Sequence, residues 1–196
     1  MELEERIIGH FHSSMDICAQ TIEHYTPLIA EAAEVLLPCL VSDHKILCAG
    51  NGVSAALANQ FSAMLMNRFR HERPGLPCAV LSADSAVLSG IANDAGYAET
   101  YARQIQALGQ AGDILLVISP TGRDASLVQA IQAAHDREML VIALTGRDGG
   151  NMTALLRPEE IEICIPAEDD PSVHFAHTLI LHTLTDLIEY QLFGAQ

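Results

Sequence analysis

Basic residues are scarce in this chain of 196 residues. Ten lysines and arginines stand against 25 aspartates and glutamates, which gives a formal net charge of −15. A charge of this sign repels phosphate backbones, and the sequence has no cluster of lysines and arginines that would override the repulsion. The composition therefore argues against direct binding of DNA.

The sequence also lacks any uncharged apolar stretch of about 18 residues, the length that a membrane-spanning helix needs. Its N-terminus, MELEERIIGH, is acidic and amphipathic, whereas a secretory signal is basic and then apolar. The five cysteines are odd in number and widely spaced. This pattern argues against disulfides and a zinc ribbon, and it is typical of buried thiols in a reducing compartment. We expect a cytoplasmic protein.

Both ends of the sequence have helical periodicity. Residues 3–24 carry one apolar stripe at spacings of three and four, which predicts an amphipathic helix whose stripe must find a partner. A second helix is predicted to begin at Thr26, since Pro27 suits a first helical position and Pro38 should kink the last turns. A long helix from about Ser172 to Phe193 is predicted to close the domain.

Between these helices the period changes, and five short runs are almost continuously apolar. They are Lys45–Gly50, Pro77–Ser82, Asp113–Ser119, Met139–Gly146 and Ile161–Pro166. Each is typical of a strand covered on both faces, and helical segments separate them. The alternation predicts an α/β fold with a doubly wound, five-stranded parallel sheet flanked by helices. No repeat or linker divides the chain, so we expect one domain over residues 1–196.

Two loops follow predicted strands at the edge where open parallel sheets bind ligands. In both loops, glycines permit a close backbone approach, and hydroxyl groups beside a helix N-terminus can hold a phosphate. Each loop alone is more often an ordinary turn, but two such loops in one sheet favour a phosphosugar site. The candidate binding residues are Asn51, Gly52, Ser54, Ser119, Thr121 and Gly122.

Several long blocks carry a family resemblance. They are ILCAGNGVSAALANQFS, NRFRHERPGLP, IANDAGYAETYARQIQALGQAGDILLVIS, AIQAAHDREMLVIALTGRDGG and DLIEYQLFG. Over nearly its whole length the chain resembles the sugar-phosphate-isomerase (SIS) family, in particular phosphoheptose isomerase and its relative DiaA, a tetrameric regulator that binds the replication initiator DnaA. The resemblance implies a SIS fold and a homotetramer, to which residues 3–43 contribute contacts. It also implies a sugar-phosphate pocket at subunit contacts, lined by Arg68, Asn93 and Asp94.

An aldose–ketose isomerase needs a base and an acid to move a proton between neighbouring carbons. The resemblance places the family's catalytic histidine at His182. The family's catalytic glutamate corresponds to Met64, which cannot accept a proton. The family's zinc ligands correspond to Gln60, Met64, His174 and His182, so at most two nitrogen ligands remain. We therefore expect no metal, and zinc only if the chain is an isomerase.

The second loop also departs from the family pattern, because the family's STSGNS corresponds to SPTGRD here. Pro120 removes one N–H donor. Asp124 places a carboxylate where a serine would have faced phosphate, and two like charges at close range repel each other. Arg123 could compensate for this charge if it folded inward.

Two apolar residues near the C-terminus, Leu192 and Phe193, match a pair that the DnaA-binding relative uses at its tail. They form either a partner-contact patch or ordinary packing on their own subunit. Together these observations favour a catalytically silent SIS-domain homotetramer that binds DnaA and promotes its assembly at the origin. The alternative is a phosphoheptose isomerase that converts sedoheptulose 7-phosphate to a heptose 7-phosphate, with His182 as acid. A phosphosugar sensor that alters partner affinity would combine the two.

Overall fold

The computed structural model describes residues 2–194. The helices are α1 (Leu3–Val41), α2 (Val53–Met66), α3 (Ser85–Ala95), α4 (Thr100–Leu108), α5 (Ala125–Asp136), α6 (Gly150–Thr153) and α7 (Asp170–Phe193). The strands are β1 (Ile46–Gly50), β2 (Cys78–Val80), β3 (Ile114–Ile118), β4 (Leu140–Gly146) and β5 (Ile161–Ile165). All five strands lie within the apolar runs that the sequence analysis identified.

The strands form one sheet in the order β2-β1-β3-β4-β5, and each neighbouring pair is parallel. Every residue of β1 and β3 is buried, because helices cover both faces of the sheet. The prediction of a doubly wound, five-stranded parallel sheet is confirmed. The direction of winding reverses between β1 and β3, so the crevice beyond their carboxyl ends is the expected ligand site.

Two apolar layers enclose the sheet. Alternate side chains of a strand point to opposite faces, so Cys48 of β1 packs with α1, α2 and α7, while its neighbour Leu47 packs with α4 and α5. Burying one leucine or isoleucine side chain in such a layer contributes about 1.5–3 kcal/mol. The sheet is therefore a rigid support for the loops at its edge.

The prediction of two separate N-terminal helices is wrong. Residues 3–41 form one continuous helix, and both Pro27 and Pro38 lie inside it. Proline costs a helix one hydrogen bond, but α1 packs along α7, and Ile17 and Ile29 on either side of Pro27 contact the same apolar layer. The hydroxyl of Thr26 donates to the carbonyl of Ile22. Tertiary packing of the apolar stripe thus outweighs the local preference for a break.

Helix α7 begins where predicted because Asp169 caps it. Its carboxylate accepts a hydrogen bond from the N–H of Ser172 at 3.0 Å, and Pro171 occupies the first turn. None of the helices within residues 2–194 combines the length and apolar character needed to cross a membrane.

Candidate functional site

The first predicted phosphate loop joins β1 to α2 with little space to spare. A Cβ atom on Gly50 would lie 2.8 Å from the backbone carbonyl of Ser54, so only glycine lets α2 begin this close to the end of the strand. Gly52 has a φ of +54°, a conformation that glycine adopts readily. The side chain of Ser54 is consequently buried at the base of the loop.

The second loop lies beside the first, because Gly50 of β1 pairs with Ile118 of β3. The Ser119 hydroxyl oxygen accepts hydrogen bonds from the N–H groups of Gly122 at 2.9 Å and Thr121 at 3.3 Å. Gly122 has a φ of +63°, and a Cβ atom there would collide with the carbonyl oxygen of Gly149. The loop is thus wedged between β3 and the loop that follows β4, with its N–H groups gathered around one position.

A carboxylate lies next to this Ser119 hydroxyl. Asp124 accepts hydrogen bonds from the Ser119 hydroxyl at 2.5 Å and from the Asn51 side-chain amide at 2.9 Å, so it connects the two loops. Arg123 does not compensate for this charge, since its guanidinium pairs with Asp148 at 2.6 Å in an exposed ion pair. The inward orientation of Arg123 that could have offset Asp124 is therefore not adopted.

The side chain of Asn51 links the first loop to residues of three other segments by hydrogen bonds. Its amide nitrogen also donates to the Ser126 hydroxyl at 3.0 Å, and its oxygen accepts from the Tyr97 hydroxyl at 2.8 Å. The oxygen also lies 3.0 Å from the Tyr101 hydroxyl, which shares its one proton between Asn51 and the carbonyl of Gly50 at 2.5 Å. Burial raises the pKa of Tyr101, which keeps its hydroxyl protonated as a donor. Asn51 therefore makes four hydrogen bonds, as many as its side chain has donors and strong acceptor positions for.

A seam between α2 and α7 leads away from the loops. Ser54 Oγ lies 3.1 Å from His174 Nε2, and Gln60 Nε2 lies 2.7 Å from His182 Nε2. Because partners advance together along both helices, α2 and α7 run side by side in the same direction. Ser54 and Gln60 are separated by about 9 Å along α2, at 1.5 Å per residue. This is the scale of an extended seven-carbon chain.

Two histidines of α7 lie at the loop end of this seam. Burial lowers the pKa of His174 below its usual value, with Asp170 acting in the opposite direction. Burial lowers the pKa of His177 to about 4, and its Nε2 bonds the carbonyl of Thr145 at 2.9 Å. Both rings are therefore predominantly neutral near pH 7, and His174 can accept a proton there.

His182 lies at the other end of the seam, next to Gln60. Met64 is partly buried against the apolar layer, and its carbonyl accepts a hydrogen bond from Arg73 at 2.7 Å. The ring of Phe69 lies 5.8 Å from the ring of His182. His182 is thus held between the Gln60 amide and an aromatic face.

The remaining predicted residues lie apart from the loops. Arg68 pairs with Glu72 on the surface, and Asn93 donates to its neighbour Asp94 near the end of α3. Leu192 packs against the apolar layer. Phe193 is 41% exposed and lines a cavity of about 320 Å³. The predicted patch at 192–193 therefore has one packed member and one exposed member.

The residues that match the family's zinc ligands do not fit a zinc ion within one subunit. His174 and His182 are eight positions apart, hence about 12 Å along the axis of α7. Their Nε2 atoms have different partners, Ser54 for His174 and Gln60 for His182, so the two rings do not converge on one zinc ion bound at about 2.0–2.3 Å. Nor does any group of three His, Cys, Asp or Glu side chains within residues 2–194 converge on a metal position.

Sequence reasoning missed several contacts. Tyr97 and Tyr101 were not singled out, although their spacing of four residues places both hydroxyls on one face. It also missed the contact between His174 and Ser54 and the ion pair between Arg73 and Glu189, which join residues more than 100 positions apart. No local signal in the sequence marks such pairs.

Comparison with known proteins agrees with this architecture. The SIS domain family model matches residues 9–146. Phosphoheptose isomerase from Chromohalobacter salexigens is 49% identical over 195 residues, covering 100% of this chain and 99% of that protein. The corresponding protein from Methylococcus capsulatus is 45% identical, covering 99% and 100%. The structure of phosphoheptose isomerase from Neisseria gonorrhoeae matches with a TM-score of 0.91 at 37% identity, covering 96% of this chain and 99% of that one.

These relatives contradict the preferred functional interpretation of the sequence. Full-length relatives at 44–49% identity are phosphoheptose isomerases, so the interpretation as a catalytically silent, DnaA-binding protein of replication initiation is wrong. That interpretation gave most weight to Met64 and Asp124 and too little to the blocks of resemblance that extend over nearly the whole chain. The matched SIS domain, the parallel sheet and the paired loops lead to one conclusion: this chain belongs to the SIS-domain family.

Proposed function

We propose that the chain is a sugar-phosphate isomerase of the phosphoheptose isomerase type, which interconverts sedoheptulose 7-phosphate and a heptose 7-phosphate. The observation that carries this proposal is the pair of loops at the β1–β3 edge, from which the α2–α7 seam leads to His182. The names of the full-length relatives support this substrate class.

Phosphate recognition falls to the loops. The hydroxyls of Ser54 and Ser119 lie in the two adjacent loops that lead into α2 and α5, and the N–H groups of Thr121 and Gly122 hold the Ser119 hydroxyl in place. Helix N-termini attract anions because their free N–H groups and dipoles point at the ligand. With the phosphate there, an extended seven-carbon chain along the seam brings its far end to Gln60 and His182.

Proton transfer falls to His182. Isomerisation removes a proton from the carbon beside a carbonyl and returns a proton to the neighbouring carbon, through an enediolate. Met64 cannot take part, so the ring of His182 removes the proton from the first carbon and returns it to the second, while the hydroxyl proton passes from one substrate oxygen to the other. The Gln60 amide, which lies 2.7 Å from the ring, is placed to donate a hydrogen bond to the substrate's carbonyl oxygen.

We expect purified protein to convert sedoheptulose 7-phosphate to an aldose phosphate, detected by NMR of the anomeric protons.

Replacing Ser119 by alanine removes a phosphate donor and the acceptor that gathers the loop N–H groups, so KM should rise by about tenfold. Ser89→Ala on the exposed face of α3 is the matched control and should leave KM unchanged. Binding of the substrate without turnover by the unaltered protein would contradict the proposed function.

We further propose that residues 1–196 form one SIS domain that assembles as a homotetramer, with residues 3–43 supplying subunit contacts. The exposed side of α1 supports this assembly: Leu3 is 81% and Phe11 is 70% exposed, and Ile7 and Met15 continue the same stripe. An exposed apolar surface of this kind marks an interaction site. The five free cysteines support a cytoplasmic location, where thiols stay reduced.

Replacing Ile7 and Phe11 together by serine should weaken the assembly. Each buried apolar side chain contributes about 1.5–3 kcal/mol, so the dissociation constant should rise by at least about a hundredfold. Analytical ultracentrifugation would show smaller species at micromolar concentration, with an unchanged circular dichroism spectrum. His12→Ser, another exposed position on α1, serves as the control. An unchanged mass in the double variant would exclude this surface as a subunit contact.

A further inference from the structure

We propose that Asp124 determines the affinity and selectivity of the phosphate site, because its carboxylate occupies the position of the ligand's phosphate in the free protein. The inference rests on the proposed function only in that the ligand carries a phosphate group. Beyond the proposed function, the inference identifies a side chain of the protein itself that competes with the ligand's phosphate.

The hydrogen bonds of Asp124 identify it as a substitute for the ligand. Its two carboxylate oxygens accept from the Ser119 hydroxyl and the Asn51 amide, one partner from each loop. The Ser119 hydroxyl in turn accepts from the N–H groups of Thr121 and Gly122. A phosphate that binds at these loops needs the Ser119 hydroxyl and the Asn51 amide, which now donate to Asp124, so it must displace the carboxylate or share the site with it.

Sharing the site is costly because the local charge is not compensated. Arg123, the adjacent cation, is engaged by Asp148 at 2.6 Å in an exposed pair. Within residues 2–194, no lysine or arginine forms a hydrogen bond or an ion pair with Asp124. A dianionic phosphate a few ångströms from a carboxylate is repelled strongly, whereas an unphosphorylated sugar is not.

The backbone offers the displaced carboxylate a second position. Asp124 is the N-cap residue of α5 and has the extended conformation usual there, with φ −67° and ψ 115°. An N-cap aspartate normally accepts from the N–H groups of the first helical turn. Here the side chain reaches across to the loops instead. Ligand binding would therefore move the carboxylate from the loops to the helix N-terminus.

Isothermal titration with inorganic phosphate and with sedoheptulose 7-phosphate tests the inference. Asp124→Asn keeps the shape and removes the charge, and Asp124→Ser also removes the bulk, so both should bind each ligand at least about tenfold more tightly than the unaltered protein. This gain in affinity should be smaller at high salt, because ions screen the repulsion between Asp124 and phosphate in the unaltered protein. Affinity for unphosphorylated sedoheptulose should not change. Asp136→Asn, the same charge change at the far end of α5, is the control and should gain little.

Equal or weaker phosphate binding by both Asp124 variants would overturn the inference, since the carboxylate would then organise the loop instead of competing for it. The two proposals fail separately. Tighter phosphate binding by the variants without any turnover leaves the inference intact and removes the isomerase. Turnover by the unaltered protein, together with an unchanged KM in folded Asp124 variants, supports the isomerase and removes the inference about Asp124.

Discussion

Replacing Glu189 by glutamine should lower the free energy of unfolding by about 3–5 kcal/mol, the cost of removing one member of a buried ion pair. The side chains of Arg73 and Glu189 are 2% and 6% exposed, and their charged atoms lie 2.7 Å apart. The carboxylate also accepts from the N–H groups of Phe69 and Arg70. It thereby anchors the connection between α2 and β2 to α7.

The arginine explains why the loss should be large. Arg73 donates its other N–H groups to the carbonyls of Leu65 and Met64 at 2.7 Å, so it cannot turn out to solvent without breaking the end of α2. With glutamine at position 189, the positive charge of Arg73 would remain buried and unpaired. Urea unfolding followed by circular dichroism measures the change as a lower midpoint with an unchanged slope.

The control is the same substitution in an exposed ion pair. Glu72 is 88% exposed and pairs with Arg68 at 3.3 Å, so Glu72→Gln should cost less than about 1 kcal/mol. Equal effects of the two substitutions would show that the pair between Arg73 and Glu189 does not stabilise the fold. Replacing both partners by methionine should cost less than Glu189→Gln alone, because no charge is left buried.

The same pair predicts how stability depends on pH. Burial alone would raise the pKa of Glu189, but hydrogen bonds from the Arg73 side chain and from the N–H groups of Arg70 and Phe69 together hold it below its usual value. A carboxyl group with a lowered pKa stabilises the fold above its unfolded-state pKa, and this contribution disappears as pH falls through the lowered value. The difference between the unaltered protein and Glu189→Gln should therefore narrow in acid.

Replacing His182 by alanine should lower kcat by about 10²–10⁴-fold, the range that a positioned proton-transfer group supplies. The phosphate loops lie about 12 Å away along α7, at the level of His174, so affinity for inorganic phosphate should be retained. A loss of kcat with retained phosphate affinity would assign His182 to the chemical step. Retained turnover in the alanine variant would exclude His182 as the proton carrier.

Two companion variants separate chemistry from packing. Thr183→Ala changes the next residue of α7, whose hydroxyl bonds only within its own helix to Leu179, and it should leave kcat unchanged. Gln60→Leu removes the amide beside the His182 ring and should lower kcat while leaving the fold intact. The pH dependence of kcat in these variants would report the apparent pKa values of the groups that carry the proton.

Local patterns in the sequence were sufficient to predict the parallel sheet and the two loops at its edge. Short apolar runs of six to eight residues separated by helical segments are typical of strands covered on both faces, and the glycines after β1 and β3 mark the two loops at the sheet edge. These features depend on local patterns, so they can be read without knowledge of the rest of the chain. The same patterns carried the resemblance to the SIS family.

The orientation of the charged side chains at the site and the contacts between its parts depend on tertiary packing. Local rules predicted a helix break at Pro27, but packing against α7 keeps α1 continuous. The sequence predicted that Asp124 faces the phosphate site but left the orientation of Arg123 open; the structure bonds the carboxylate to Ser119 and Asn51 and pairs the arginine with Asp148. Side-chain direction depends on partners that lie far apart in the chain, and these partners meet only when the sheet and helices pack.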